Sequence, residues 1–169
     1  RGLGDVYKRQ VYILAAITIV FVFFVRLVGV DGPSMMPTLQ DGDYVALLSN
    51  LFMGDLEQGD VIVARRESFE TGEPIVKRVI ATAGQTVDID FNLGQVYVDG
   101  ELLDEDYIND YTYREEGTVF PLTVPEGEVF LMGDNRNHSN DSRDSSLGTV
   151  DTRLLIGKAV FLVFPGRDY

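Results

Sequence analysis

The sequence predicts a mainly β protein, an antiparallel β-sheet assembly or partly open barrel with a small inserted β-subdomain, preceded by one N-terminal transmembrane helix. Short runs of β-branched and aromatic residues, separated by Gly, Asp and Pro, recur throughout residues 31–169. In that part of the chain, no run shows the 3.6-residue spacing of apolar side chains that is typical of a helix. Residues 11–30, by contrast, are long and apolar enough to span a bilayer.

The membrane segment at residues 11–30 carries one charge, Arg26, near its end. About 20 residues at a rise of ~1.5 Å match a ~30 Å hydrocarbon core, and a terminal arginine can extend to the headgroups. A cleaved secretory signal is the alternative, although no small-residue cleavage site comes after it. Because Lys8 and Arg9 precede the segment and Asp31 comes directly after it, we expect a single-pass protein of the cytoplasmic membrane with its main domain outside.

Residues 1–10 begin without methionine and differ in composition from the apolar segment at 11–30. We interpret them as non-native or as a cytoplasmic stub, and they are left out of the fold prediction. The expected organisation is this stub, a transmembrane anchor at 11–30 and an extracytoplasmic β domain at 31–169, in which 84–125 form an inserted excursion.

At least seven strands are predicted in the extracytoplasmic domain, because these runs alternate or are uniformly apolar between turn residues. They lie at 43–48, 60–65, 74–82, 86–90, 95–100, 128–132 and 158–164. Residues 104–118, here called the acidic segment, lack clean alternation and are expected to be irregular.

Composition restricts the chemistry that the chain can perform. The net charge of −13 disfavours binding to nucleic acid, which requires a concentrated basic face. The absence of cysteine and the single histidine, His138, exclude thiolate and multi-histidine metal sites and a cysteine nucleophile. Catalysis is therefore expected to use Ser, Thr, Lys, Tyr or carboxylates, without a metal or another cofactor.

Ser34 and Lys77 are the first candidate site residues. Pro33 and Pro37 favour an extended or turn backbone around Ser34, which presents its hydroxyl, although a serine that only satisfies a turn is the alternative. Strand alternation places Lys77 among apolar side chains, where burial would lower its pKa and give a neutral amine that can accept the serine proton. A register shifted by one residue would leave Lys77 solvated at a strand edge.

A third candidate region is the polar loop, residues 133–148, which is rich in Asp, Asn, Ser and Arg. A solvated loop is the simplest interpretation. A calcium loop is excluded because Arg136 and His138 stand where acidic ligands are required. A triad of Ser34, His138 and Asp141 is a second catalytic hypothesis, although no G-x-S-x-G motif surrounds the serine.

Four motifs occur in one order along the chain: SMMPTL after the membrane segment, GDVIV at 59–63, KRVIATAGQTV at 77–87 and GDNRNHSNDSR at 133–143. Together they resemble the type I signal peptidases over residues 11–164, in the Gram-positive-like form with a single span. The resemblance implies a membrane-bound serine–lysine endopeptidase that removes signal peptides from exported preproteins on the outer face of the cytoplasmic membrane.

The resemblance also implies roles for individual residues. By motif position, Ser34 matches the nucleophile and Lys77 the general base. Ser139 matches a serine that hydrogen-bonds the lysine, and Asp141 and Arg143 match an ion pair that supports the polar loop.

An extended cleavage region is expected to bind by strand addition along the strand that carries Lys77. Ile75 and Val79, together with Met35, are expected to line shallow pockets, and the resemblance implies Ala-like residues at the first and third positions before the cut. Gly32 stands where some family members have a serine that helps to bind the oxyanion, so the second oxyanion donor is not identified. Preprotein signal peptides and the lipid bilayer are the expected partners, and we expect a monomer.

Two rival functions remain open from the sequence. A catalytically inactive, membrane-anchored β-module that binds secreted proteins is supported only by the acidic segment. Self-cleaving repressors of the bacterial damage response share the serine–lysine chemistry, but they are cytosolic and carry DNA-binding helices, which the membrane segment and the acidity disfavour.

Overall fold

The structure of the protein, a computed structural model, describes residues 3–65 and 72–166. Within these residues it contains one α-helix, eleven β-strands and two short 3-10 helices, at Arg136–His138 and Thr152–Leu154. The α-helix and the strands are α1 (Leu3–Phe24), β1 (Val25–Gly29), β2 (Tyr44–Ser49), β3 (Val61–Ala64), β4 (Ile75–Thr82), β5 (Thr86–Asp90), β6 (Gln95–Val98), β7 (Glu101–Leu102), β8 (Leu122–Thr123), β9 (Glu128–Met132), β10 (Val150–Asp151) and β11 (Leu155–Phe164).

The strands form two sheets in which every pairing is antiparallel. The larger sheet has the order β1-β2-β11-β3-β4-β9-β10, and the smaller sheet has the order β7-β6-β5-β8. All four strands of the smaller sheet lie between β4 and β9 in the sequence, although β4 and β9 are neighbours in the larger sheet. The predicted mainly β, antiparallel fold is confirmed, and each of the seven predicted strands is present with small shifts of its ends.

The first strand corrects the prediction for residues 25–30. Helix α1 ends at Phe24, and Val25–Gly29 pairs with β2, Val25 opposite Leu48 and Gly29 opposite Tyr44. A continuous membrane helix to residue 30 is therefore wrong. The valine-rich sequence has a high β propensity, and pairing with β2 satisfies backbone groups that an edge strand would otherwise leave open. Within residues 3–65 and 72–166, no helix is long and apolar enough to cross a membrane.

Buried apolar side chains fix the segment after β1 against the larger sheet. Met35 and Leu39 pack with Val45 and Leu47 of β2 and with Val76 of β4 in one core cluster. Because Ser34 precedes Met35, this cluster sets the position of the serine relative to β4.

A second core cluster joins the two sheets. Ile80 of β4 and Phe130 of β9 pack against Val87 of β5 and Val96 of β6. The smaller sheet is thereby held against the strands that lead into and out of the candidate site.

Candidate active site

Ser34 lies in a tight turn formed by residues 33–39, here called the serine turn. The backbone N–H of Met36 donates to Pro33 O at 3.1 Å, and that of Leu39 donates to Met35 O at 3.0 Å. The side chain of Met35 is completely buried, while Ser34 is half-buried. The turn predicted from the two prolines is therefore present, and its buried methionine fixes the neighbouring serine at the surface of the core.

Gly32 stands where some members of the family that the sequence resembles have a serine, and its backbone conformation favours glycine. Its φ of +84° lies in the left-handed region, which is strained for a residue with a β-carbon. Its N–H donates to Asp41 Oδ1 at 2.9 Å. A serine side chain at this position would need a different backbone, and the Gly32 N–H is already engaged within the loop.

Lys77 reaches Ser34 from the interior of the larger sheet. It lies on β4 opposite Ile62 of β3, and only 4% of its surface is exposed. Its Nζ donates to Ser34 Oγ at 2.8 Å. The alternative of a solvated lysine at a strand edge is therefore wrong, because the register buries Lys77 and directs its amine to the serine.

Asp141 and Arg143 form the ion pair that the resemblance implied, and both side chains are completely buried. Asp141 Oδ1 accepts from Arg143 Nε and Oδ2 accepts from Arg143 Nη2, each at 2.8 Å. Oδ2 also accepts from Ser139 Oγ at 2.8 Å and from Gly133 N at 2.9 Å. Burial raises the pKa of Asp141, but the hydrogen bonds and charge of Arg143 outweigh burial and hold it below its usual value. A hydrogen bond between Ser139 and Lys77 stays a prediction.

Gly133 is a functional position to which the sequence alone assigned no role. A β-carbon here would lie 2.3 Å from Ser139 Oγ and 2.5 Å from Ser34 O. Only a glycine therefore allows the end of β9 to approach both the serine turn and the polar loop. A Gly-Asp pair directly after a predicted strand was the available signal.

The same contacts contradict the Ser34–His138–Asp141 triad. Asp141 gives its oxygens to Arg143, Ser139 and Gly133, and it is sealed from solvent. His138 is exposed on the wall of the cleft. The carboxylate of Asp141, which would have to orient the His138 imidazole in a triad, is instead paired with Arg143.

A second ion pair, which was not predicted from the sequence, connects the serine turn to β4 and to the start of the polar loop. Arg78 Nε and Nη2 donate to the two oxygens of Asp134 at 2.8 and 2.6 Å, and Thr38 Oγ1 donates to Asp134 Oδ2 at 2.5 Å. The ring of Tyr107 lies 4.0 Å from the Arg78 guanidinium carbon. Burial is the largest influence on Tyr107 and raises the pKa of its hydroxyl to about 12. Arg78 and Asp134 lie in the motifs at 77–87 and 133–143, but the sequence alone does not indicate that they form an ion pair.

Ser34 and Lys77 open onto a cleft of 680 Å³. Its walls are Val28–Ser34 on one side and Glu73–Lys77 on the other, closed by Arg114, His138 and Asn140. An edge strand and an interior strand share this cleft, so the larger sheet is curled. Among the described residues, no group of three or more His, Asp or Glu side chains is placed to hold a metal ion.

Of the three residues predicted to line substrate pockets, only Ile75 lies on the cleft wall. Met35 and Val79 are completely buried in two different core clusters and expose no surface to a peptide. Their assignment as pocket residues is corrected, because β4 lies inside the sheet with packed side chains on both faces, and the serine turn uses Met35 as its anchor.

A serine and a buried lysine in direct contact, on a curled antiparallel sheet, define the class of serine–lysine hydrolases. The chain belongs to the family described as "Signal peptidase, peptidase S26", whose family model matches residues 3–164. The predicted resemblance is confirmed.

Individual relatives agree with the family match. The chain is 38% identical over 147 residues to a probable signal peptidase I-1 of Synechocystis, covering 83% of this chain and 71% of that protein. It is 33% identical over 164 residues to a signal peptidase I of Bacillus licheniformis, covering 92% and 84%. Among solved structures, a signal peptidase I of Enterococcus faecalis matches with a TM-score of 0.52 at 29% identity, over 62% of this chain and 97% of that one.

Proposed function

We propose that the protein is an endopeptidase that removes signal peptides from exported preproteins, with Ser34 as the nucleophile and Lys77 as the general base. The contact of 2.8 Å between Lys77 Nζ and Ser34 Oγ, made by a lysine that is 4% exposed, carries this proposal. Burial disfavours the ammonium form of a lysine, so the neutral amine becomes available for proton transfer.

The reaction follows from this contact. As Ser34 Oγ attacks the scissile carbonyl carbon, its proton moves to the neutral Lys77 Nζ, and the resulting oxyanion accepts from the Ser34 backbone N–H. The ammonium then returns the proton to the leaving amine, and the C–N bond breaks to leave an ester on Ser34. A water molecule, deprotonated by the same amine, hydrolyses the ester and regenerates the hydroxyl.

The cleft offers a place for an extended peptide. Strand β9 pairs with β4 only from Arg78 onward. One edge of Ile75–Lys77 therefore faces the cleft, while β3 pairs with the other edge. Val28–Val30 forms the opposite wall. A cleavage region that adds a strand here would direct alternate side chains into the walls, which favours Ala-like residues at the first and third positions before the cut.

We propose further that α1 holds the enzyme at the outer face of the cytoplasmic membrane as a single anchor. Residues 11–24 of α1 carry no charge, and their apolar side chains include Val11, Ile13, Ile17 and Val22, all exposed. Because β1 follows α1 directly and ends at the cleft, an embedded α1 would place Ser34 near the bilayer surface, where a signal peptide exposes its cleavage region.

Incubation of the full chain in detergent with a preprotein, followed by N-terminal sequencing of the product, tests the function. We expect cleavage by the wild type, and a loss of at least ~10³-fold in Ser34→Ala and in Lys77→Ala without loss of the fold. His138→Ala should retain most of the activity. Substantial cleavage by Lys77→Ala, or its abolition by His138→Ala, would contradict the serine–lysine assignment.

A further inference from the structure

The polar loop contains a completely buried arginine that the reaction does not use directly. Arg136, on the 3-10 helix that follows Asn135, exposes none of its surface. Its Nε donates to Gly133 O at 3.1 Å, and its Nη1 donates to Thr112 Oγ1 at 3.0 Å. Its own carbonyl accepts from Arg143 Nη2 at 2.6 Å. Arg136 therefore connects the start of the polar loop with Arg143 and with Thr112 of the acidic segment.

The charge of Arg136 is balanced from outside the loop. Glu105, in the acidic segment, places Oε1 2.5 Å from Arg136 Nη2, and 8% of its side chain is exposed. A guanidinium in such a buried position requires a carboxylate nearby, because an unpaired charge in the interior is strongly unfavourable. Burial is the largest influence on the pKa of Glu105 and raises it, while Arg136 opposes that shift.

Arg136 is linked to Ser34 through one residue, Gly133. The carbonyl that it holds belongs to Gly133, where an added β-carbon would lie within 2.5 Å of both Ser139 Oγ and Ser34 O. A shift of Arg136 would therefore move Gly133, the residue at which the polar loop meets the serine turn. Core packing transmits such displacements because it leaves few voids to absorb them.

The acidic segment makes a second attachment beside the first. Asn109 N donates to Asp134 O at 3.1 Å, and Asn109 Nδ2 donates to Asn135 Oδ1 at 3.4 Å. The backbone N–H of Asn135 in turn donates to Ser34 O at 3.0 Å. The second attachment therefore reaches Ser34 through Asn135, and the first reaches it through Arg136 and Gly133.

We propose that Glu105 is a positioning residue for signal-peptide cleavage. Paired with Arg136, it fixes Gly133 and the polar loop against the serine turn, which keeps Ser34 Oγ within hydrogen-bonding distance of Lys77 Nζ. This inference rests on the proposed function and adds to it a residue of the acidic segment, Glu105, which acts through Arg136 and Gly133. The pair acts on the geometry of the site, so it affects turnover more than substrate binding.

The test compares the full chain with Glu105→Gln, Arg136→Met and the double variant, in detergent, on one preprotein and at temperatures well below each variant's Tm. Glu105→Gln should lower kcat roughly tenfold, because small misplacements of reacting groups are costly, and should leave KM within about twofold. The double variant should be no slower than the slower single variant, since both substitutions break the contact between Glu105 and Arg136. Asp104→Asn, which changes an exposed carboxylate next to Glu105, is the matched control and should leave kcat unchanged.

Several results would overturn the proposal. They are a wild-type kcat in Glu105→Gln with only a lower Tm, a raised KM with unchanged kcat, or strictly additive losses in the double variant. Where Glu105→Gln does not fold, the double variant decides, because it removes the unpaired buried charge. A low kcat in the folded double variant supports the proposal, and a wild-type kcat refutes it. Failure of the proposed function is distinct, since the wild type would then be inactive or Ser34→Ala would be active.

Discussion

Replacing Asp141 by asparagine removes one charge from the most completely buried ion pair of the site while preserving the size of the side chain. The carboxylate accepts two hydrogen bonds from the Arg143 side chain, one from Ser139 and one from Gly133. An asparagine oxygen can accept some of them, but its NH₂ group faces donors. Arg143 would keep Glu116 as a nearby carboxylate, 4.0 Å from Nε.

The expected loss follows from the burial of both partners. Neither side chain is exposed, and removal of one partner from a buried pair costs about 3–5 kcal/mol because the other charge stays in the interior. For a domain of this size, each kcal/mol lowers Tm by about 2–4 °C, so we expect a decrease of roughly 10 °C. kcat should fall as well, because Asp141 holds Ser139 and Gly133 in place.

The pH dependence of stability provides a second readout. The pKa of Asp141 is depressed in the folded protein, so its contribution to the free energy of unfolding is complete above the unfolded pKa, ~3.9, and is lost as the pH falls through the folded pKa. Burial raises the pKa of Glu105 and of Glu116. Their protonation on acidification therefore increases the free energy of unfolding, whereas protonation of Asp141 decreases it. The difference in stability between wild type and Asp141→Asn should therefore shrink below about pH 4.

Thermal melts and urea titrations of the two proteins between neutral and acid pH measure these effects. Asp151→Asn is the matched control, because Asp151 and Arg153 repeat the Asp-x-Arg spacing in an ion pair whose side chains are 27% and 87% exposed. Solvent screens an exposed pair, so this variant should melt close to the wild type. Equal losses in both variants, or a neutral-pH Tm of Asp141→Asn within error of the wild type, would refute the structural role given to the buried pair.

Three other outcomes follow from the site. The kcat/KM of the wild type should rise with pH, because only the neutral amine of Lys77 can accept the proton of Ser34; a rate that does not rise with pH would contradict the general-base role. Gly133→Ala should lower kcat by ~10²-fold or more, since its β-carbon meets Ser139 Oγ and Ser34 O; an unchanged rate in a steady-state assay would contradict this packing. The full chain should float with lipid vesicles on a density gradient even at high salt, whereas release by salt would argue against insertion of α1.

The sequence was most informative where local patterns decide the structure. All seven predicted strands are present, since alternation and turn residues act over a few positions. The strands that were missed, β7, β8 and β10, have two residues each, too few for a periodic signal. Strand β1 was missed for another reason, because it continues an apolar run that also suits a membrane helix.

Within the site, the sequence predicted which residues react better than it predicted which side chains are buried or paired. Ser34 and Lys77 were found from the prolines and from the strand pattern, and the structure brings their side chains together. The burial of Met35 and Val79 was not foreseen, because packing on both faces of an interior strand depends on elements distant in the chain. The pairing of Arg78 with Asp134 spans 56 positions, and no local pattern encodes it.

Three buried arginines surround the site, and their ion pairs serve to orient the backbone rather than to stabilise the fold. Arg78, Arg136 and Arg143 each contact a carboxylate, Asp134, Glu105 and Asp141 respectively. Buried ion pairs stabilise a fold no better than well-packed apolar residues of similar volume, because desolvation offsets their attraction. A guanidinium, however, has fixed donor directions, so each pair fixes the orientation of the backbone that it joins. Since these pairs connect β4, the acidic segment and the polar loop, they hold the surroundings of Ser34 and Lys77 in one arrangement, which a serine without an orienting histidine and aspartate requires.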